Sequence, residues 1–241
     1  MAGTVQEEAL KLRQNIDKVY DAGKQAEYDR FWDNFQESGK RTHYNYGISG
    51  HGWKTENFKP KYNMSPTSAR CMFYNSSING DLVQILEKCG VKLDLSKATS
   101  ITYLFASTYH ITKIGVIDGI KADSLAYAFN NCWDLETIDK IILKNNGSQS
   151  FSETFTSCRN LYEIRFEGVI GTDINFQWSP LSVASMKSII SCLKKYIGTS
   201  SEGSYSVYFS NECWAMLEAD SVAPNGGTWK DYVVYTLGWA V

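Results

Sequence analysis

Three histidines, six cysteines and one glycine-rich run are the residues of this 241-residue chain best suited to chemistry, and their spacing assembles no catalytic site. His43 and His51 lie eight apart, not at the four-residue interval that puts two imidazoles on one helix face around a metal, and His110 stands alone. All three read as surface or hydrogen-bonded side chains. Cys71, Cys89, Cys132, Cys158, Cys192 and Cys213 are widely spread, with no CxxC pair and no histidine at ligand spacing. Buried free thiols are expected, inert because burial disfavours the thiolate. Gly47-Ile-Ser-Gly-His-Gly52 has the look of a nucleophile elbow or phosphate loop but satisfies neither pattern. Asp118-Gly119 and Asn146-Gly147 are turn signals, and no spacing among the 26 acidic residues marks a glycosidase pair. The expectation is a protein that is not an enzyme and needs neither cofactor nor metal.

Binding is the chemistry that remains. Tyr109, Trp133 and Arg159 occupy nearly the same phase of a repeating pattern, so if exposed they form a stripe along one edge of the molecule. Tyr and Arg are frequent anchors of interfaces. Tyr44, Tyr46 and Trp53, with Tyr62, either offer flat faces to a sugar or a protein partner or bury themselves against the first repeat.

The elements that position these residues are repetitive. Leu125-Ala-Tyr-Ala-Phe-Asn-Asn-Cys-Trp-Asp-Leu-Glu-Thr-Ile138 aligns with Phe151-Ser-Glu-Thr-Phe-Thr-Ser-Cys-Arg-Asn-Leu-Tyr-Glu-Ile164, both reading Phe-x-x-Cys-x-x-Leu-x-x-Ile. Ile101-Thr-Tyr-Leu-Phe-Ala-Ser-Thr-Tyr-His-Ile-Thr-Lys-Ile114 is a third copy with Thr108 in place of the cysteine, and a degenerate copy begins near Met72-Phe73. The phenylalanines 73, 105, 129 and 155 are 32, 24 and 26 residues apart. A short helical turn is expected to carry each Phe and a short strand each Leu and Ile. Neither buries its apolar side alone, so successive copies must stack.

Around these repeats, residues 1–38 read as a helical segment for oligomerisation or attachment. Val5, Ala9, Leu12, Ile16, Val19, Gly23 and Ala26 trace a coiled-coil seam, with Leu12, Ile16 and Val19 as its core. The seam either docks on its own domain or joins copies into a dimer or trimer. A second apolar cluster, Phe31, Trp32 and Phe35, follows, and Gly39 closes the helix. Residues 39–68 are expected to be an aromatic, Gly-rich N-terminal cap and residues 69–176 the repeats. Residues 177–241 are expected to be a non-repeating α/β C-terminal cap. In that cap Ser182 is the N-cap of an amphipathic helix reaching Leu193, Tyr205–Phe209 is a strand, Glu212–Ala219 a helix, and Tyr235–Val241 a closing strand.

Composition narrows the function classes. A 43% hydrophobic and 14% aromatic content is that of a packed protein, and a net charge of −2 favours neither nucleic acid nor an anionic membrane. Short, polar-broken apolar runs predict no membrane span. Met1 to Asn15 has no apolar core of a signal peptide, so export by the usual secretory route is not expected.

The Phe-x-x-Cys-x-x-Leu-x-x-Ile blocks resemble the BspA-like leucine-rich repeats of bacterial surface proteins over roughly residues 69–176. Pro180-Leu-Ser with Ser185-Met-Lys-Ser-Ile-Ile190, the terminal Trp239-Ala-Val241, and Val19-Tyr-Asp-Ala-Gly-Lys24 with Tyr28-Asp-Arg-Phe-Trp-Asp33 look like repeat proteins of phages and prophages of Firmicutes. The resemblance implies an α/β fold, a short leucine-rich-repeat solenoid of parallel β rungs with short helices. It also implies a tail-associated virion protein, assembled in the bacterial cytoplasm, that contacts other virion proteins and a host cell-surface protein or glycan. The alternative is a bacterial surface adhesin or interaction module.

Overall fold

The computed structural model describes residues 23, 25–27, 29–50 and 53–241. The expected seam residues Leu12, Ile16 and Val19, and His51, lie outside them. The architecture is mixed α/β. Strands β1 (Gly80–Asp81), β2 (Ile111–Asp118), β3 (Thr137–Ile142) and β4 (Glu163–Glu167) form one open, all-parallel sheet in chain order, and β5 (Ile174–Phe176) pairs in parallel with β6 (Val207–Phe209). Helices are few: α1 (residues 29–35), α2 (Leu82–Lys88), α3 (Val183–Cys192), α4 (Asn211–Asp220) and α5 (Trp229–Asp231).

Strand neighbours pair Ile114 with Ile138 and Ile138 with Ile164, so the Ile of each block sits on the same residue of the next. Ile111, Leu135 and Leu161, three residues earlier in each block, are also buried. On the outer side of the sheet Lys113 meets Asp139 at 3.2 Å and Lys140 meets Glu167 at 2.9 Å. The alternation of apolar inside and charged outside is what a half-solvated sheet requires.

The Phe-bearing segments are turns, not the short helices expected of them. Each has two residues with φ near +55°, two before and two after the Phe: Tyr103 and Ser107, Tyr127 and Asn131, Glu153 and Ser157. Left-handed residues at that interval cannot continue an α-helix. Alternate amides bond differently as a result. Tyr127, Phe129 and Asn131 donate to Ser152, Thr154 and Thr156 of the next unit, whereas Ala128, Asn130 and Cys132 donate three residues back. In the turns that carry Phe73, Phe105 and Phe129, every second N–H therefore stitches neighbouring units together.

The phenylalanines stack face to face through the centre. Ring centroids lie 4.8 Å apart for Phe73–Phe105, 6.0 Å for Phe105–Phe129, 5.6 Å for Phe129–Phe155 and 4.5 Å for Phe155–Phe176. Phe209 extends the series at 6.1 Å from Phe176. The position three after Phe105, Phe129 and Phe155 holds a small donor: Thr108 Oγ1 donates to Phe73 O at 2.7 Å, and Cys132 and Cys158 Sγ donate to Phe105 and Phe129 O at 3.1 Å. A thiol and a hydroxyl are interchangeable there because the site asks for a small group that can give one weak hydrogen bond.

Contacts and elements cross three of the expected boundaries. The 39–68 segment is not merely a lid. Tyr44, Tyr46, Ile48 and Gly50 donate to Ser68, Arg70, Met72 and Tyr74, the bonding pattern of the later units, and Tyr46 has the same positive φ. Ile48 takes the Phe position, fully buried. Nor does the chain divide cleanly after residue 38. Trp32 is buried against Trp53 and Phe58, and the buried Gln36 amide accepts from the N–H of Lys61 and Tyr62 and donates to Tyr62 O. Beyond residue 176, Val207–Phe209 adds a further rung, while the closing strand expected at 235–241 is replaced by a π-helical turn, Tyr232–Leu237, leaving only Ala240 bridged to Ser206.

The 32-residue interval between Phe73 and Phe105 has a simple cause: α2 is inserted there, with Asp81 as its N-cap accepting from Val83 and Gln84. At the other edge of the sheet α3 begins at Ser182, whose side chain caps Ser185 N as the sequence predicts. Its serines then face β4: Ser185 Oγ accepts from Ile164 N–H at 2.9 Å and Ser188 Oγ from Phe166 N–H at 3.1 Å. An unpaired strand edge, a template for aggregation, is thereby closed by side chains.

Candidate functional site

In-register stacking brings residues of one phase to one strip of surface. Tyr109, Trp133 and Arg159 each follow the small donor of their unit by one residue, and the structure puts them side by side. The Tyr109 and Trp133 rings are 4.7 Å apart, tilted by 48°, and the Arg159 guanidinium lies 5.8 Å from the Trp133 ring centre. Trp133 is 46% exposed and Arg159 is exposed, while Tyr109 is half-buried. Asp134 N–H donates to Tyr109 O at 3.0 Å, pinning the backbone beneath the rings, and His110 pairs with Asp134 at 3.0 Å beside them. Large, rigid amphipathic rings beside a forked cation are suited to a binding surface, since ordering them on contact costs little entropy.

The candidates in the Gly-rich segment divide. Tyr44 is 1% exposed, so it is removed from the set of contact residues. Its ring packs on Phe35 at 6.0 Å, and burial pushes its phenol pKa up. Trp53 is half-buried in the cluster of Phe31, Trp32 and Phe35 and serves packing. Tyr46, at a left-handed backbone position, stands out at 55% exposure.

A second row escaped the sequence analysis. Tyr103 and Tyr127 occupy the first left-handed position of their units and stack at 4.6 Å with parallel planes, with Tyr74 edge-on to Tyr103 at 6.4 Å. The signal was present: a Tyr precedes Phe105 and Phe129 by two residues in both blocks. Because those faces cover each other, the row offers ring edges and hydroxyls.

Cys71, Cys132, Cys158 and Cys213 are buried, while Cys89 and Cys192 are half-buried. Burial lifts the Cys158 thiol to about 12 and drives Cys132 well above its ordinary value, so neither supplies a thiolate at neutral pH. All six are unpaired. Among the described residues no group of three His, Cys, Asp or Glu side chains is placed to hold a metal ion, and no helix is long and apolar enough to cross a membrane. No protein-family model, curated protein or solved structure matches the chain.

Proposed function

We propose that this chain is a non-enzymatic binding protein, a short leucine-rich-repeat solenoid of the BspA-like kind carried on a phage tail, and that it attaches the virion to the host surface. The observation that carries this reading is the strip of Tyr109, Trp133 and Arg159, three ligand-type side chains delivered to one exposed edge by three successive units. Repeats of about 24–26 residues with parallel rungs and a shared aromatic spine support the solenoid. In this reading the seam at Leu12, Ile16 and Val19 joins the protein to other tail proteins or to further copies as a dimer or trimer. The repeats meet a host protein or glycan after assembly in the bacterial cytoplasm.

The test is direct. Fluorescently labelled full-length protein is titrated onto intact cells of a panel of Firmicutes, with serum albumin as the background. At least one species is expected to bind it saturably, and the Trp133→Ala, Arg159→Ala double variant is expected to bind that species roughly tenfold or more weakly, the usual loss on truncating interface anchors. Binding to no species, or equal binding by the double variant, contradicts the proposal.

A further inference from the structure

Beyond the Tyr109–Trp133–Arg159 strip, two open clefts lie along the β5–β6 pair. β5 and β6 make their own sheet, and along both strands the outer residues alternate with buried ones. Tyr208, on β6 between buried Val207 and Phe209, therefore points outward beside its pairing partner Asn175. Tyr208 is 44% exposed and walls both clefts. On one side is a space of about 290 Å³ lined by Glu153, Asp173 and Asn175 together with Ser150, Ser152 and Thr172. On the other is a more open space of about 480 Å³ lined by Gln177, Trp178, Asn211 and Glu212. Trp178 is 59% exposed.

Three of the polar side chains are fixed by a single bond each. Asp173 Oδ1 accepts from Ser206 N–H at 2.7 Å, Asn175 Oδ1 from Gln177 N–H at 2.8 Å, and Glu153 Oε2 from the Thr156 hydroxyl at 2.7 Å. Each is thus held in place while keeping a second polar atom for a ligand. No Lys, Arg or His lines either cleft, and three carboxylates do.

We propose that these clefts bind a neutral oligosaccharide, one sugar ring on each side of Tyr208. Aromatic faces receive the apolar faces of pyranose rings, and fixed carboxylate and amide groups receive their hydroxyls. The smaller cleft is at the lower limit of ligand pockets and fits one ring, so two adjoining clefts ask for at least a disaccharide. The negative lining repels uronic and sialic acids and phosphorylated polymers. The site is separate from the strip of the previous subsection and stands or falls independently of it.

The experiment is calorimetric titration of the full-length protein with cellotetraose, maltotetraose and tetra-N-acetylchitotetraose, and with tetragalacturonate as the anionic comparison. At least one neutral tetrasaccharide is expected to bind below about 10 mM, and tetragalacturonate more weakly than that sugar. Tyr208→Ala is expected to weaken binding about tenfold and Trp178→Ala several-fold, whereas Tyr235→Ala, at an exposed position outside both clefts, leaves it unchanged. Trp178→Ala, at an exposed position, decides the matter should Tyr208→Ala fail to fold by circular dichroism. Absence of binding by all three neutral sugars, tighter binding of tetragalacturonate, or affinity untouched by the folded variants overturns the proposal.

Discussion

Phe129→Ala is expected to lower the unfolding free energy by about 3–5 kcal/mol, read as a shift of the urea midpoint. The ring is fully buried and stacked between Phe105 and Phe155, with interplanar angles of 11° and 12°. Its removal leaves a cavity that cannot collapse, because the backbones on either side are tied by the Phe105–Ala128 and Phe129–Thr154 hydrogen bonds. The rings above and below lose a partner at once, so the cost exceeds the transfer term alone. Tyr127→Ala is the comparison. That ring stacks as closely on Tyr103 but is half-exposed, so it forfeits only about 0.5–1.5 kcal/mol. Equal losses at the two positions would mean that the spine is not the core of the molecule.

Gly168→Ala is expected to be about as severe, at roughly 3–5 kcal/mol, for a different reason. Gly168 follows β4 with φ +103°, and a Cβ there would lie 2.5 Å from Leu143 O and 2.9 Å from Leu143 C. Both contacts are to backbone, which cannot swing aside as a side-chain tip can. The substitution must force β4 and the segment after β3 apart, against the Leu143–Glu167 and Val169–Lys144 hydrogen bonds that flank the glycine. Gly90→Ala isolates the conformational part of the effect. Gly90 also has positive φ, +67°, but nothing lies within 4 Å of its would-be Cβ, so a loss of about 1–2 kcal/mol is expected. A thermal or urea midpoint for Gly168→Ala no lower than that of Gly90→Ala would rule out the close approach between units.

The aligned blocks disclosed the parallel sheet and the shared phase of Tyr109, Trp133 and Arg159, because an in-register stack converts sequence phase directly into position. The Ser182 cap was legible for a similarly local reason: a hydroxyl before an apolar-periodic run satisfies an amide of the first turn. What lay hidden was conformation that residue type disguises. Tyr103, Tyr127, Asn131 and Glu153 adopt left-handed backbone without being glycine, so residue type suggests a helical turn where the backbone does not continue one. The first unit was masked by Gly47, Gly50 and its many tyrosines, although Ile48 fills the Phe position. Phe176 and Phe209 continue the spine after the Leu and Ile spacing has lapsed, so periodicity could not find them. Tyr44 and Tyr46 differ by two residues and in fate, one buried and one exposed, because inward and outward sides depend on a unit boundary that the sequence did not mark.

All of this depends on neighbouring units lying parallel and in register. Methyl NOE spectroscopy on deuterated, Ile-labelled protein reads that arrangement in solution. The isoleucines at 114, 138 and 164 occupy paired positions on strands spaced by about 4.8 Å. Cross-peaks are expected between Ile114 and Ile138 and between Ile138 and Ile164, with none between Ile114 and Ile164. Assigned methyl signals lacking both neighbour cross-peaks, or linking Ile114 directly to Ile164, would contradict the stack and with it the surface strip it builds.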